Sequence, residues 1–185
     1  MLNDREIHWW MQKEGQDRLV IDPYPDDCCF QPTSVDLHLS NQIRTYPLNV
    51  NKYIDLKNPI DHTILNKIDD SGYMIQPGVF ILASTIERIE IPSRLVCLVE
   101  GKSKIGRAGL LIHITAGLAD PNFKGNITLE MKNVNNIPIK IYPNIAICQV
   151  VFEELSSNPN RLYGHCDLKN HFQNSIGTVG IRGTL

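Results

Sequence analysis

Lys102, Ser103, Lys104 and Arg107 put three cations and a hydroxyl within six residues, interleaved with Gly101 and Gly106. Glycine lets backbone N–H groups approach phosphate oxygens, and the cations neutralise them, so the turn can grip an anion. The same residues also read as a solvated basic hairpin turn, and the glycine-run-then-lysine order of a P-loop is absent. Further on, Ile127-Thr128-Leu129-Glu130 alternates, so Thr128 and Glu130 share one strand face while Ile127 and Leu129 share the other. In a pocket Glu130 can activate a water as general base; at a strand edge it is one more solvated charge. Asp120 precedes Pro121, where Asp is also common for local turn reasons. His113, between Ile112 and Ile114, reads as a satisfied core or interface histidine rather than a catalytic one. The stretch from Glu100 to Glu130 can thus set a cationic turn and a carboxylate on one pocket wall. That suits a phosphorylated ligand whose other end undergoes acid–base chemistry.

Metal chemistry has no such foothold in the spacing. Cys28, Cys29, Cys97, Cys148 and Cys166 are an odd set without disulfide-framework spacing, and no Cys-x-x-Cys pair occurs. The expectation is no protein-bound zinc, with Cys97 and Cys148 as buried thiols inside apolar runs. A net charge of −2 gives no global field for nucleic acid, so any anion must be bound locally. No apolar run approaches the ~18 residues a membrane span needs. The first residues lack the basic-then-apolar layout of a secretory signal, and a cytoplasmic protein is expected.

The elements that must position these residues are mostly strands. At 185 residues with 42 % hydrophobic and 21 % charged, the chain fits one domain with a small appendage. Asn3 and Glu6 have capping-box spacing, with Ile7, Trp10 and Met11 on one face of a short helix and Gly15 as its stop. Strands are expected at Gln31 to Leu39, Val79 to Ala83, Ile86 to Ile91 and Leu95 to Val99, and again at Leu110 to Ile114, Asn126 to Val134, Ile137 to Tyr142 and Ile145 to Phe152. Residues 48–71 look like an irregular excursion. Short strands at roughly ten-residue spacing, broken by Pro, Gly and Asn, indicate a mainly β barrel or sandwich. Beyond Leu155 the composition turns to Ser, Asn, Gly and His, with Leu162, Tyr163, Phe172 and Ile176 as the few apolar anchors. Two readings stay open for residues 156–185: a mobile tail, or a segment that closes over a ligand.

Longer strings resemble a known family. E-G-K-S-x-x-G-R-x-G-L, H-x-T-A-G-x-x-D-P-x-F-x-G-x-I-T-L-E, N-x-P-I-x-I-Y-P and C-Q-V-V-F are similar to the dCTP deaminases of the dUTPase-like superfamily. So are L-x-D-R-E-I, Q-P-T-S-V-D-L-H-L and P-G-V-F-I-L-A-S-T-x-E, and the resemblance spans roughly residues 1–155. It implies a distorted jelly-roll or β-barrel of the dUTPase-like (β-clip) type with a short N-terminal helix. It also implies a homotrimer with nucleotide sites between subunits. The implied reaction is metal-free hydrolysis of dCTP to dUTP and ammonia, with Mg2+ carried on the triphosphate and dTTP as a feedback inhibitor. The alternative is the bifunctional, dUMP-forming version, which the Gly117 of T-A-G resembles; a nucleotide-sensing homologue is a third reading.

The resemblance assigns Glu130 as the proton-handling carboxylate, with Ser103 and Arg107 completing the reaction centre. Lys102, Lys104, Ile105, Gly106, Asp120, Thr128, Leu129, Gln149 and Tyr163 fall at nucleotide-contact positions. Lys104 stands where the family has a second serine, and residues 144–149 lack the family's glycines. In the tail, His171 and Ser175 align with the family's lysine and glutamine, Lys169 lies close enough to compensate, and the ending is Gly177-Thr178-Val179-Gly180.

Overall fold

A computed structural model describes residues 1–47 and 53–183. Residues 48–52 of the expected excursion lie outside the described residues. The short helix is present as α1 (Asp4–Gln12), with both halves of the Asn3–Glu6 capping box formed and Ile7, Trp10 and Met11 buried. It ends at Gln12, short of Gly15. The Leu2 N–H donates to the Phe152 carbonyl at 2.8 Å, which ties the start of the chain to the core.

Among the described residues twelve strands follow: β1 (Val20–Asp22), β2 (Phe30–Gln31), β3 (Ser34–Thr45), β4 (Ile64–Lys67), β5 (Tyr73–Ile75), β6 (Phe80–Glu90), β7 (Leu95–Gly101), β8 (Leu110–Leu111), β9 (Leu118–Ala119), β10 (Lys124–Asn133), β11 (Ile139–Ile141) and β12 (Ala146–Glu154). The main sheet runs β8-β10-β6-β3-β12-β7-β9, with β1 on β6 and β2 and β4 on β3; β11 and β5 form a separate pair. These ladders are antiparallel. Register shifts interrupt three of them, between Asn126 and Thr128, between Leu39 and Ile43, and between Ala146 and Cys148. An extra residue on one side of a ladder bends the strand and raises its twist, and the sheet curls into a half-barrel. The fold is the mainly β class with a short N-terminal helix that the sequence leads one to expect.

The core lies inside this curl, where Leu37, Leu39, Ile43, Ile81, Leu129, Met131 and Phe152 are fully buried. Burial of each such side chain contributes about 1.5–3 kcal/mol. Cys97 and Cys148 are buried among them, and burial raises both thiol pKa values well above the usual range.

Five local expectations differ. The strand expected from Gln31 to Leu39 turns at Pro32 and Thr33, so that Gln31 pairs back on Ser34. The excursion expected over 48–71 contains a strand, β4, paired with β3. The two strands expected between Val79 and Ile91 are one continuous strand, β6, which pairs with β10 on both sides of a register shift. The turn expected at Gly101 to Arg107 is a short helix, α2 (Ser103–Arg107), closed by the Ile105 and Gly106 N–H groups donating to the Lys102 carbonyl. The buried strand expected at Leu110 to Ile114 is only the two-residue β8, and Leu111 and Ile114 are exposed. An apolar run signals a buried strand only if some surface of the same chain covers both faces, and here none does.

The tail follows an ordered path across β10. The Asn174 N–H donates to the Lys124 carbonyl at 2.7 Å, the Asn126 N–H to the Ser175 carbonyl at 3.0 Å, and the Lys124 N–H to Gln173 Oε1 at 2.9 Å. Val179 is the apolar side chain buried here, while Ile176, expected as an anchor, is 85 % exposed. Hydrogen bonds rather than apolar area hold the segment down.

Candidate active site

The alternation of β10 turns Ile127, Leu129 and Met131 into the core and leaves Thr128 and Glu130 half-buried on the other face. That face borders a cavity of about 370 Å³. β6 supplies Phe80 and Leu82 to its wall, β9 supplies Leu118 and Ala119, and the following turn supplies Asp120 and Phe123. The tail closes it with Tyr163, Phe172, Ser175, Val179, Gly180 and Ile181. The hydrogen bond recorded at Glu130 comes from the Thr115 N–H to Oε2 at 3.4 Å, a long contact that leaves the carboxylate open to further partners.

Two phenols stand at this cavity. Burial pushes the Tyr46 pKa up, and the carboxylates of Asp61 and Glu130 push it further. Burial also raises that of Tyr163, Asp120 adds to the rise, and a hydrogen bond with the Phe172 backbone opposes it. Both therefore remain neutral O–H donors at neutral pH. Tyr163 is seated by an edge-on contact with Phe123 at 5.7 Å and by its N–H, which donates to the Pro121 carbonyl at 3.0 Å. Asn122 Nδ2 donates to the Tyr163 carbonyl at 2.7 Å.

The cations lie elsewhere. Lys102, at the N-cap of α2, pairs with Asp36 of β3, whose other oxygen Oδ1 is buried without a hydrogen-bond partner. Gln149 of β12 donates to the Gly101 carbonyl at 3.2 Å and accepts from Ser34 Oγ at 2.9 Å. Ser103, Lys104, Gly106 and Arg107 are exposed, and Ile105 is partly buried against the core. Among the described residues the cavity wall contains two carboxylates, Asp120 and Glu130, and neither a lysine nor an arginine.

The predicted residues thus separate into two groups. Asp120, Thr128, Glu130, Tyr163 and Ser175 come together at the cavity. Lys102 to Arg107 and Gln149 do not reach it; they gather around α2 and the ends of β7 and β12. Leu129 is fully buried in the core and does not line the cavity. Ser175 is buried, with its hydroxyl donating to the Phe172 carbonyl at 2.7 Å. Lys169 is exposed and His171 partly so, and neither lines the cavity. His113 was expected to be a satisfied core or interface histidine; within this chain its Nδ1 is buried without a partner.

Sequence reasoning missed Tyr46, Phe80, Asn126 and Val179, which reach the cavity only through sheet pairing or the path of the tail. It also missed one cluster of metal-ligating atoms. Among the described residues His165, Cys166 and Asp167 bring three such atoms within 4.8 Å of one another, and all three are exposed. They are consecutive residues, which a search for spaced ligand pairs passes over. No helix of the described residues is long and apolar enough to cross a membrane.

Comparison with known proteins gives the geometry a family. The dCTP deaminase-like family model matches residues 1–155. A "dCTP deaminase, dUMP-forming" of Methanosphaera stadtmanae is 39 % identical over 184 residues, covering 96 % of this chain and 90 % of that protein. Among solved structures, 2'-deoxycytidine 5'-triphosphate deaminase from Agrobacterium tumefaciens superposes with a TM-score of 0.62 at 17 % identity, over 82 % of this chain and 45 % of that one. A mutant dUTPase of Staphylococcus bacteriophage 80alpha superposes with a TM-score of 0.51 at 13 % identity, over 79 % and 96 %. The two structures bear on the fold alone, whereas the family model and the Methanosphaera relative extend over most of the sequence. The chain belongs to the dCTP deaminase-like family.

Proposed function

We propose that this protein is a hydrolase that deaminates dCTP and carries the product on to dUMP, in a site shared between two copies of the chain. The observation behind the shared site is the charge of the cavity. A triphosphate cannot settle against Asp120 and Glu130 alone, and no cation lines that wall among the described residues. The exposed Ser103, Lys104 and Arg107 on α2 supply the missing charge once a neighbouring copy brings its α2 to the cavity. A homotrimer with three such interfaces fits this arrangement.

In this reading Glu130 takes a proton from the water that attacks C4 of cytosine, then passes protons to ring N3 and to the leaving amine. Arg107 stays charged at any working pH and holds negative charge in place, and Ser103 offers a hydroxyl beside it. Water replaces the amine, so dCTP and water give dUTP and ammonia. A second water then cleaves the α–β phosphoanhydride to give dUMP and pyrophosphate. Mg2+ enters with the triphosphate as part of the substrate.

The sequence expectation placed dUTP as the product and dUMP as the alternative. The name of the Methanosphaera relative favours the alternative. Gly117 fits it too: T-A-G resembles that subgroup, and a Cβ there would crowd His113 Cε1 at 2.9 Å and the Val99 carbonyl at 3.1 Å. The test is product analysis with dCTP and Mg2+. Ammonia, dUMP and pyrophosphate in equal amounts are expected. Ammonia with dUTP as end product would remove the second step, and dUMP formed only from supplied dUTP would remove the first.

A further inference from the structure

Asn126 sits where the β10–β6 ladder slips, two residues before Thr128. Its Nδ2 faces three carbonyls of β6, those of Thr85, Ile86 and Glu87, at 3.2, 3.0 and 3.2 Å. Its Oδ1 accepts the Gly177 N–H at 3.0 Å, and its own N–H donates to the Ser175 carbonyl at 3.0 Å. Asn126 borders the Glu130 cavity and also a second, open cavity that Gln42, Ser84, Ile176 and Gly177 help to bound. The family strings leave this position free (F-x-G-x-I-T-L-E), so the resemblance assigns it no role.

The tail beside it is held in the same way. Thr178 Oγ1 lies 2.8 Å from the Gln42 carbonyl and 3.0 Å from Ser84 Oγ, and Arg44 Nε donates to the Thr178 carbonyl at 2.8 Å. With Ile176 exposed and Val179 buried, the stretch has little apolar area to fix it. An amide side chain has a donor and an acceptor at fixed separation. Here one end reads the bulge of β6 at Thr85 to Glu87, opposite the strand that bears Glu130, and the other reads the tail that lines Glu130's cavity.

We propose that Asn126 is a positioning residue that holds Ser175 to Val179 as one wall of the nucleotide cavity, in register with Thr128 and Glu130. The proposal rests on the reading of that cavity as the nucleotide site.

The experiment pairs hydrogen exchange at the Gly177 amide with steady-state dCTP kinetics for Asn126→Ala, Asn126→Asp, Thr178→Val and the Asn126→Ala/Thr178→Val double variant. Loss of one such hydrogen bond is expected to speed Gly177 exchange by up to about tenfold in Asn126→Ala. KM for dCTP should rise several-fold while kcat falls by less. Thr178→Val leaves β10 intact and should raise KM in the same way, with the double variant less than multiplicative. Asn126→Asp keeps the acceptor and should restore part of the Gly177 protection. Unchanged Gly177 protection in Asn126→Ala overturns the latch. A faster-exchanging tail with parental KM overturns its bearing on the site. Absence of dCTP turnover in the parent protein would instead remove the functional reading on which the proposal rests, and exchange would still decide the latch.

Discussion

At the scale of single residues, the proposed chemistry turns on Glu130. It is half-buried at the cavity, close enough to Tyr46 to help raise that phenol, and bonded only loosely to the Thr115 N–H. Such a carboxylate has acceptor capacity to spare for water. Glu130→Gln keeps the shape and removes the base, so ammonia release from dCTP should fall by at least ~10²-fold while nucleotide affinity changes little. Near-parental turnover in that variant would mean that another group handles the proton. Among the described residues no cysteine lines the cavity; Cys97 and Cys148 are buried, and burial together with Cys28 pushes Cys29 up to about 11. The face of Glu130 was legible in the sequence because strand alternation fixes it. Tyr46 and Phe80 were not, because no local pattern tells which strand faces which cavity.

At the scale of elements, β6 and β10 set the geometry. Lys124 lies directly opposite Glu90 in their ladder, and Glu90 pairs with Arg88 as well. Burial alone would raise the Glu90 pKa, but hydrogen bonds and charge from Arg88 and Lys124 outweigh it and hold it below the ordinary carboxylate range. A depressed folded-state pKa means that the pair stabilises the fold above the unfolded value of about 4.3, and that this is lost as pH falls through the folded value. Glu90→Gln should therefore cost about 0.5–1 kcal/mol at pH 7, a size set by the part-exposed partners. Urea unfolding of variant and parent should converge as pH falls below the folded-state value; a gap that persists at low pH would assign the cost to packing. β10 and the capping box of α1 were readable because each rests on local periodicity or spacing. α2 was not, since a five-residue helix carries no full amphipathic period. The run from Leu110 misled because Leu111 and Ile114 within it are left exposed in this chain.

At the scale of the whole molecule, the cavity carboxylate Glu130 and the cations of α2 lie on different parts of one chain, and Leu111, Ile114 and Leu118 stand exposed near them in sequence. The proposed shared site accounts for both features, through a second copy whose α2 would complete the cavity and whose surface would cover those side chains. A shared site predicts that neither Glu130→Gln nor Arg107→Ala is active alone, yet that the two together recover activity. In a ring of mixed copies, about a quarter of the interfaces would join an intact Glu130 to an intact Arg107. The measurement is ammonia release from dCTP after the two inactive variants are unfolded together, refolded and freed of aggregate. Recovery approaching a quarter of the parental rate is the predicted result; a mixture as inactive as its separate components would contradict the shared site.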